Sequence, residues 1–403
     1  MDDLDDFALR VRRFVRDHLP ADIRAAARHN VPAPREHAER WHRLLDAHGW
    51  GAPNWPEADG GPGWSLTQYA VFLRECAMAD CPRTDNIGLA TIGPAIARFG
   101  TPAQRARFLP AIRTFDDYWA LALSEPGAGS DLSALATRAE PDGDQWVLNG
   151  AKTWISHCHW ANRLFVLART RSEARRQAGL SAFLVDKDCP GVTVRPIVLL
   201  NGTVLHSEVF LDDVRVPADR LLGPRDEGWD IARRMLVEER LFLARLPECE
   251  RDLARVAAMG ARAGADGRRL RDEPWFERRV IELCMRFDGY SAAWWETVAL
   301  AQQGRDVALA ASVHRLIGTV LLQDLNELQL DAAGEAGLGV DPDALAGAVS
   351  TCPVDPGRAE TIHLHHLRYR GITLGGGPSE IQRGIVARVL LEDGEVPLEP
   401  PSP

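Results

Sequence analysis

The chain has 403 residues, of which 45% are hydrophobic and 26% charged, and carries a formal charge of -10 at pH 7. That length allows two or three domains with a core each, and the acidic balance argues against a nucleic-acid footprint without forbidding a local basic pocket. Seven cysteines without C-x-x-C spacing argue for reduced thiols rather than a disulfide framework or a zinc site. No apolar run approaches the roughly 18 residues of a membrane span, and the acidic, amphipathic N-terminus lacks the apolar core of a signal peptide. A cytoplasmic protein with no membrane span is expected.

Residues 1–117 read as helical. Leu4, Phe7, Ala8, Val11, Phe14 and Val15 fall at helix spacing, leaving an Arg/Asp outer face. Further helices are expected near 34–48, 66–80, 85–99 and 102–113, with Thr101 as N-cap and Pro102 at the first helical position. The Pro/Gly-rich stretch 51–63 is a connection. Periodicity changes at Tyr118, after which short apolar runs alternate with turn residues, and Asp142-Gly143 and Asn149-Gly150 read as hairpin turns. Helical signals return at about 225–263, 274–304, 307–336, 356–370 and 377–391. The fold class is therefore α+β: an N-terminal helical domain (1–117), a middle β-barrel or sandwich (118–224) and a C-terminal helical bundle (225–403).

Two polar clusters stand out in the middle part, Ser124-Glu125-Pro126-Gly127-Ala128-Gly129-Ser130-Asp131 and Lys152-Thr153-Trp154-Ile155-Ser156. The intervening strands fold them back beside each other. Gly127 and Gly129 let backbone N–H groups face a ligand, and Ser124 and Ser130 add hydroxyl donors. Trp154 offers a flat face with the Ser156 hydroxyl two residues on, which suits a planar heterocycle. The competing reading is a core tryptophan and a merely tight turn. His157-Cys158-His159 and His363-Leu364-His365-His366 hold zinc-ligand types, but neither has an i, i+4 pair, paired cysteines or acidic neighbours. No metal site is expected; His157 would line a site mouth, and the second cluster would be an exposed or interface helix turn.

SEPGAGSD followed by NGAKTWIS resembles the acyl-CoA dehydrogenase family of flavoenzymes. The likeness covers nearly the whole chain, through Trp50-Gly51-Ala52-Pro53, Trp55-Pro56, Gly60-Gly61-Pro62-Gly63, the Glu208–Pro217 stretch and Pro378-Ser379-Glu380-Ile381-Gln382-Arg383. It implies a helical, β-barrel, helical fold, FAD as cofactor and a homodimer or homotetramer. The implied reaction removes a proton alpha to a thioester carbonyl while a hydride leaves the beta carbon for flavin N5. The resemblance places the Leu123 backbone and Ser124 at the flavin pyrimidine edge, Gly129 in the binding turn, and Ser130 toward pyrophosphate or substrate. It places Trp154 and Ser156 at the isoalloxazine face and N5, and Pro378, where relatives usually have threonine, and Glu380 by the flavin and adenosine. Arg278 would reach the pyrophosphate of a neighbouring subunit.

Many relatives carry the catalytic base in a Tyr-Glu-Gly-Thr-like stretch before the last helix, where this chain reads Gly375-Gly376-Gly377-Pro378. A minority place it just before an arginine on the first long C-terminal helix, and Glu239-Arg240 matches. Glu239 is thus the implied base, with Glu238 the alternate and Arg240 on the substrate side; a solvated helix-face glutamate is the competing reading. The Gly376 backbone N–H would still donate to the thioester oxygen. Implied partners are an acyl-CoA or carrier-protein thioester and an electron-transfer flavoprotein or other acceptor. The alternatives are an oxygen-reacting oxidase on the same fold and, given Gly376 and Pro378, a non-catalytic FAD-binding subunit of a hetero-oligomer.

Overall fold

The computed structural model describes residues 2–28, 34–83, 86–172, 176–264, 267–339 and 359–392. The chain divides into two compact units, one of Met1–Phe72 with Ala79–Glu239 and one of Leu73–Met78 with Arg240–Pro403. Three domains are expected from the sequence; in the structure Ala52, Trp55 and the helical residues between Leu89 and Ile112 share a core with the strands, within the first of these units.

In the first unit, α1 (Asp2–His18) buries Phe7, Val11, Phe14 and Val15 along one stripe. It is followed by α2 (Ala21–Arg28), which is not expected from the sequence, α3 (Arg35–Ala47) and α4 (Leu66–Met78), of which Leu73–Met78 group with the second unit. The helix expected over 85–99 is a π-helical turn, Gly88–Ile92, running into α5 (Gly93–Phe99). Helix α6 (Pro102–Arg113) opens with a capping box, in which Thr101 Oγ1 accepts the Gln104 N–H (3.2 Å) and Gln104 Oε1 accepts the Thr101 N–H (2.9 Å). The Gln104 amide also donates to the Asp219 and Leu221 carbonyls, at 2.7 and 2.8 Å, and so fastens α6 to the end of the sheet.

The strands are β1 (Trp119–Ala122), β2 (Arg138–Asp142), β3 (Gln145–Ser156), β4 (Arg163–Arg169), β5 (Leu180–Asp186), β6 (Val192–Val198), β7 (Val204–Pro217) and β8 (Leu221–Leu222). They form one sheet in the order β6-β7-β3-β2-β4-β5-β8, with β1 parallel to β4. The apolar run of β4 is buried on both faces, as such runs are when a strand is central. Phe165 and Leu167 pack with Trp55, Ile92, Phe108, Trp119 and Met235. Leu164, Val166 and Ala168 pack on the other side with Trp146, Phe183 and Val209.

Asp142 and Gln145 close the β2–β3 hairpin around Gly143 (φ +64). Asn149-Gly150 is not the second turn expected. It lies inside β3, where pairing with β7 slips between Leu148 and Gly150, and a Cβ at Gly150 would sit 2.4 Å from Thr137 Oγ1. The glycine serves a bulge and a close approach instead of a reversal.

The second unit contains α8 (Leu246–Ala261), α9 (Pro274–Gln302), α10 (Ala308–Ala333) and the helices Ala359–Tyr369 and Ser379–Glu392. The single helix expected over 225–263 is broken. Helix α7 (Gly228–Arg240) ends, a 3-10 turn spans Phe242–Ala244, and Arg245 is left-handed (φ +65) before α8 starts at Leu246-Pro247. Carbonyls freed at such a break need donors. Trp294 Nε1 serves Leu241 (3.1 Å), Arg315 Nη1 serves Leu243 (2.9 Å) and Tyr290 Oη serves Ala244 (2.6 Å).

Where α8 meets α10, buried Asp252 accepts from Arg251 (2.9 Å), Arg255 (3.2 Å) and Asn326 (3.2 Å). Burial opposes its ionisation, but the arginines hold the carboxyl below its ordinary range. Among the described residues no helix is long and apolar enough to cross a membrane.

Gly318 lets α10 touch this break, since a Cβ there would lie 1.9 Å from the Ala244 oxygen and 2.6 Å from Tyr290 Oη. Gly318→Ala should therefore cost about 1–3 kcal/mol through overpacking. Gly289→Ala, on α9 with nothing within 4 Å of the new Cβ, should stabilise by up to about 1 kcal/mol. Urea midpoints at unchanged m-value will show the opposite signs.

Candidate functional site

The two polar clusters lie side by side. The Thr153 N–H donates to the Ser124 carbonyl at 2.9 Å. Lys152, which ends buried, donates from Nζ to the carbonyls of Leu123 (3.0 Å) and Leu167 (2.7 Å) and to Glu125 Oε1 (2.8 Å). Glu125 also accepts the N–H groups of Ala136 (2.6 Å) and Thr137 (3.0 Å). Burial pushes the Lys152 ammonium down to about 8 against the pull of Glu125. Burial likewise works to raise the Glu125 carboxyl, but Lys152 and the donors around it outweigh that and hold it below its ordinary 4.5. Both groups are charged at neutral pH, and the loop is bound to the strand through them.

Beyond this anchor the chain turns tightly, with Glu125 and Ala128 exchanging backbone hydrogen bonds of 3.0 and 3.1 Å. Gly127, Gly129 and Ser130 are left exposed, while Leu123 is buried and Ser124 half-buried. A Cβ at Gly127 or Gly129 would meet nothing within 4 Å, and neither glycine has a positive φ. Nothing within the chain therefore requires glycine there.

Strand parity would put Trp154 on the same side as buried Lys152. It does not, because pairing with β7 is irregular between Lys152 and Ile155 and Trp154 is left-handed at φ +61. Trp154 is 58% exposed, flanked by buried Thr153 and Ile155, which discards the core-tryptophan reading. A non-glycine residue held in that region costs about 1–3 kcal/mol and marks a site more often than a core. The exposed Ser156 follows, and its Oγ lies 3.2 Å from His206 Nδ1, with the His206 ring edge-on to Trp154 at 5.9 Å. His206 was not singled out from the sequence; only the Ser156–His206 pairing across β3 and β7 brings it here.

In the second unit Gly376 (φ +72) and Gly377 (φ +97) form a left-handed turn ahead of the last helix. A Cβ at Gly376 would lie 3.1 Å from Leu243 Cδ1, and one at Gly377 would lie 2.4 Å from Gln382 Nε2. Pro378 is half-buried, and Glu380 is exposed, 3.5 Å from Arg383. Arg278 is exposed on the first turns of α9. Close to it in sequence, Arg262, Arg268, Arg269 and Trp275 line a cavity of about 370 Å³ together with Met259 and Leu270. Glu238, Glu239 and Arg240 end α7 as helical backbone, and their side chains lie outside the described residues.

In both histidine clusters a ring packs against an aromatic neighbour. His157 (φ +53) packs on Trp160 at 4.5 Å, and burial pushes the Cys158 thiol between the two histidines up to about 11. His365 is buried rather than exposed, its ring 6.0 Å from Tyr369. Among the described residues no group of three or more His, Cys, Asp or Glu could hold a metal.

Three family models match successive parts of the chain: "Acyl-CoA dehydrogenase, N-terminal domain" over residues 1–116, "middle domain" over 120–214 and "C-terminal domain" over 226–391. A Mycobacterium tuberculosis protein described as acyl-CoA dehydrogenase IpdE1 is 37% identical over 97% of this chain and 98% of its own length. Among solved structures, the "Tcur3481-Tcur3483 steroid ACAD" superposes with a TM-score of 0.85 at 26% identity, covering 99% of both chains. The ChsE4-ChsE5 complex from Mycobacterium tuberculosis gives 0.81 at 26% identity over 99% of both chains.

Removing one partner of the Lys152–Glu125 pair strands the other as a buried charge, which costs about 3–5 kcal/mol. Glu125→Gln and Lys152→Met should each lose that much, and the double variant less than their sum, measured by denaturant unfolding. Because Glu125 is held below 4.5, its stabilising contribution is complete above that pH and is lost as the pH falls through the lowered folded value. Acidification should therefore lower the melting temperature of the wild type more steeply than that of the Glu125→Gln variant.

Proposed function

The chain belongs to the acyl-CoA dehydrogenase family, and from that premise we propose that Glu239 takes the alpha proton of an acyl-CoA thioester while the Gly376 N–H receives the thioester oxygen. The family consists of FAD-dependent oxidoreductases acting on the CH–CH bond of acyl-CoA, and the protein is one of them. Bound FAD supplies the hydride acceptor.

The residues present fit that cofactor. The observation that carries the reading is the exposed indole of Trp154, kept in a strained left-handed backbone beside the Ser156 hydroxyl. Trp154 and Ser156 would hold the flat ring. The Leu123 backbone, Ser124, Gly129 and Ser130 would meet its polar edge and phosphates, where the open space at Gly127 and Gly129 leaves room. Pro378 and Glu380 would serve the flavin and adenosine. Arg278, or the arginines of the nearby cavity, would reach the cofactor of a second copy, a role that suits a permanent charge and a bidentate donor.

Position 376 has no side chain, so the carboxylate must come from elsewhere. Glu239 stands near the end of α7 immediately before Arg240, and that order in the sequence is what supports it over Glu238 as the base. Arg240 would lie on the substrate side. The likeness to a protein described as a steroid acyl-CoA dehydrogenase, with three successive glycines in place of side chains at 375–377, favours a bulky, ring-bearing acyl group on CoA over a straight chain. Electrons would pass to an electron-transfer flavoprotein in the cytoplasm.

A second reading has support of its own: Gly376 and Pro378 depart from the commoner pattern, and the ChsE4-ChsE5 structure is described as a complex. The chain would then act in a hetero-oligomer instead of a homodimer or homotetramer.

FAD-loaded wild type should lose its visible flavin absorbance on anaerobic addition of an acyl-CoA, and Glu239→Gln should stay yellow while bleaching about 10²–10⁴-fold more slowly. Undiminished bleaching would remove Glu239 from the mechanism. Wild type that binds FAD but bleaches only after mixing with a homologous chain would establish the second reading.

A further inference from the structure

Arg315, on α10, belongs to no motif, yet it is buried at 4% exposure and grips backbone from two separate segments. Its Nη1 donates to the Leu243 carbonyl at 2.9 Å, and its Nη2 donates to the carbonyls of Ile372, at 2.7 Å, and Gly375. The contact with Gly375 has a consequence one atom further along. The Gly375 carbonyl and the Gly376 N–H belong to the same peptide unit, and no peptide bond among the described residues is cis. In a planar trans peptide the two groups point opposite ways, so a cation holding the oxygen turns the N–H away from itself. No acceptor among the described residues takes that N–H, and Gly376 is exposed.

We propose that Arg315 is a positioning residue for the reaction: it orients and polarises the Gly376 N–H as the donor that meets negative charge developing on the thioester oxygen. The inference rests on the reading above that Gly376 receives this oxygen. A charge-assisted hydrogen bond at the carbonyl end of a peptide draws electron density from its N–H and makes that group a stronger donor. Such a donor stabilises a developing oxyanion only if it is held in place before charge appears. The planar guanidinium reaches three carbonyls at once, which a lysine ammonium on a flexible stem does not reproduce. Leu243 Cδ1, 3.1 Å from where a Cβ of residue 376 would be, backs the turn. The glycine thus keeps a left-handed backbone that a side chain would strain.

The probe is acetoacetyl-CoA, whose alpha proton is acidic and whose enolate, carrying charge on the thioester oxygen, absorbs in the near ultraviolet. Its acidity when bound is read by pH titration of that absorbance on FAD-loaded wild type, Arg315→Gln and Arg315→Lys, with flavin content and circular dichroism recorded for each. Wild type should bind the enolate with the probe's pKa lowered from its value in solution. Arg315→Gln should retain FAD but raise the pKa of the bound probe by about one unit, a tenfold loss of enolate preference, with Arg315→Lys in between. Unchanged probe acidity in Arg315→Gln, or failure of both variants to fold and hold FAD, would overturn the proposal in favour of a purely architectural staple. Wild type that binds the probe without shifting its acidity would instead remove the Gly376 reading, and the Arg315 role with it.

Discussion

A lysine ammonium withdrawn from water must find oxygens, and the first unit is arranged around how Lys152 finds them. Its three hydrogen bonds run to Leu123, Leu167 and Glu125, so the end of β1, the middle of β4 and the glycine turn are all tied to one point on β3. The Thr153 N–H adds the Ser124 carbonyl to the same seam. An unpaired buried charge is expensive, so the turn cannot lift off without stranding either the ammonium or Glu125. The glycines that follow are presented on a rigid mount, although they themselves touch little.

The second unit solves a related problem with arginine. The break between α7 and α8 leaves carbonyls that Trp294, Arg315 and Tyr290 satisfy from α9 and α10, and Arg315 extends its reach to the turn before the last helix. In both units a buried cation holds a carbonyl whose partner N–H must then face the other way, that of Ser124 in one and of Gly376 in the other. Backbone donors fixed in this manner need no side chain. A chain with glycine at position 376 therefore still presents a backbone N–H held in a set direction there.

Much of this was legible in the sequence, for reasons that can be named. The stripe Phe7, Val11, Phe14, Val15 and the unbroken apolar run of β4 report burial directly, since one-faced helices and central strands have different periods. The glycine and tryptophan clusters are also expected to lie beside each other, and the Thr153 N–H bond to the Ser124 carbonyl joins them. What escaped depended on backbone states or distant partners. Asn149-Gly150 suits a turn and a bulge equally well, and only the contact with Thr137 decides. Trp154 inverts the expected parity because it adopts φ +61, a state rarely assigned to tryptophan. Pro247 was a legible signal against a continuous helix over 225–263, but the left-handed Arg245 that carries the break has no local marker. His206 and Arg315 carry no motif at all, because their importance lies in partners 50 and up to 72 residues away.

Hydrogen–deuterium exchange of the wild-type protein, with FAD removed and then restored, tests the central claim most directly. If the Lys152 anchor builds the cofactor cradle, residues 123–131 and 152–156 should gain protection together when FAD binds. FAD that binds while both segments exchange as before, with protection confined to other parts of the chain, would contradict the account.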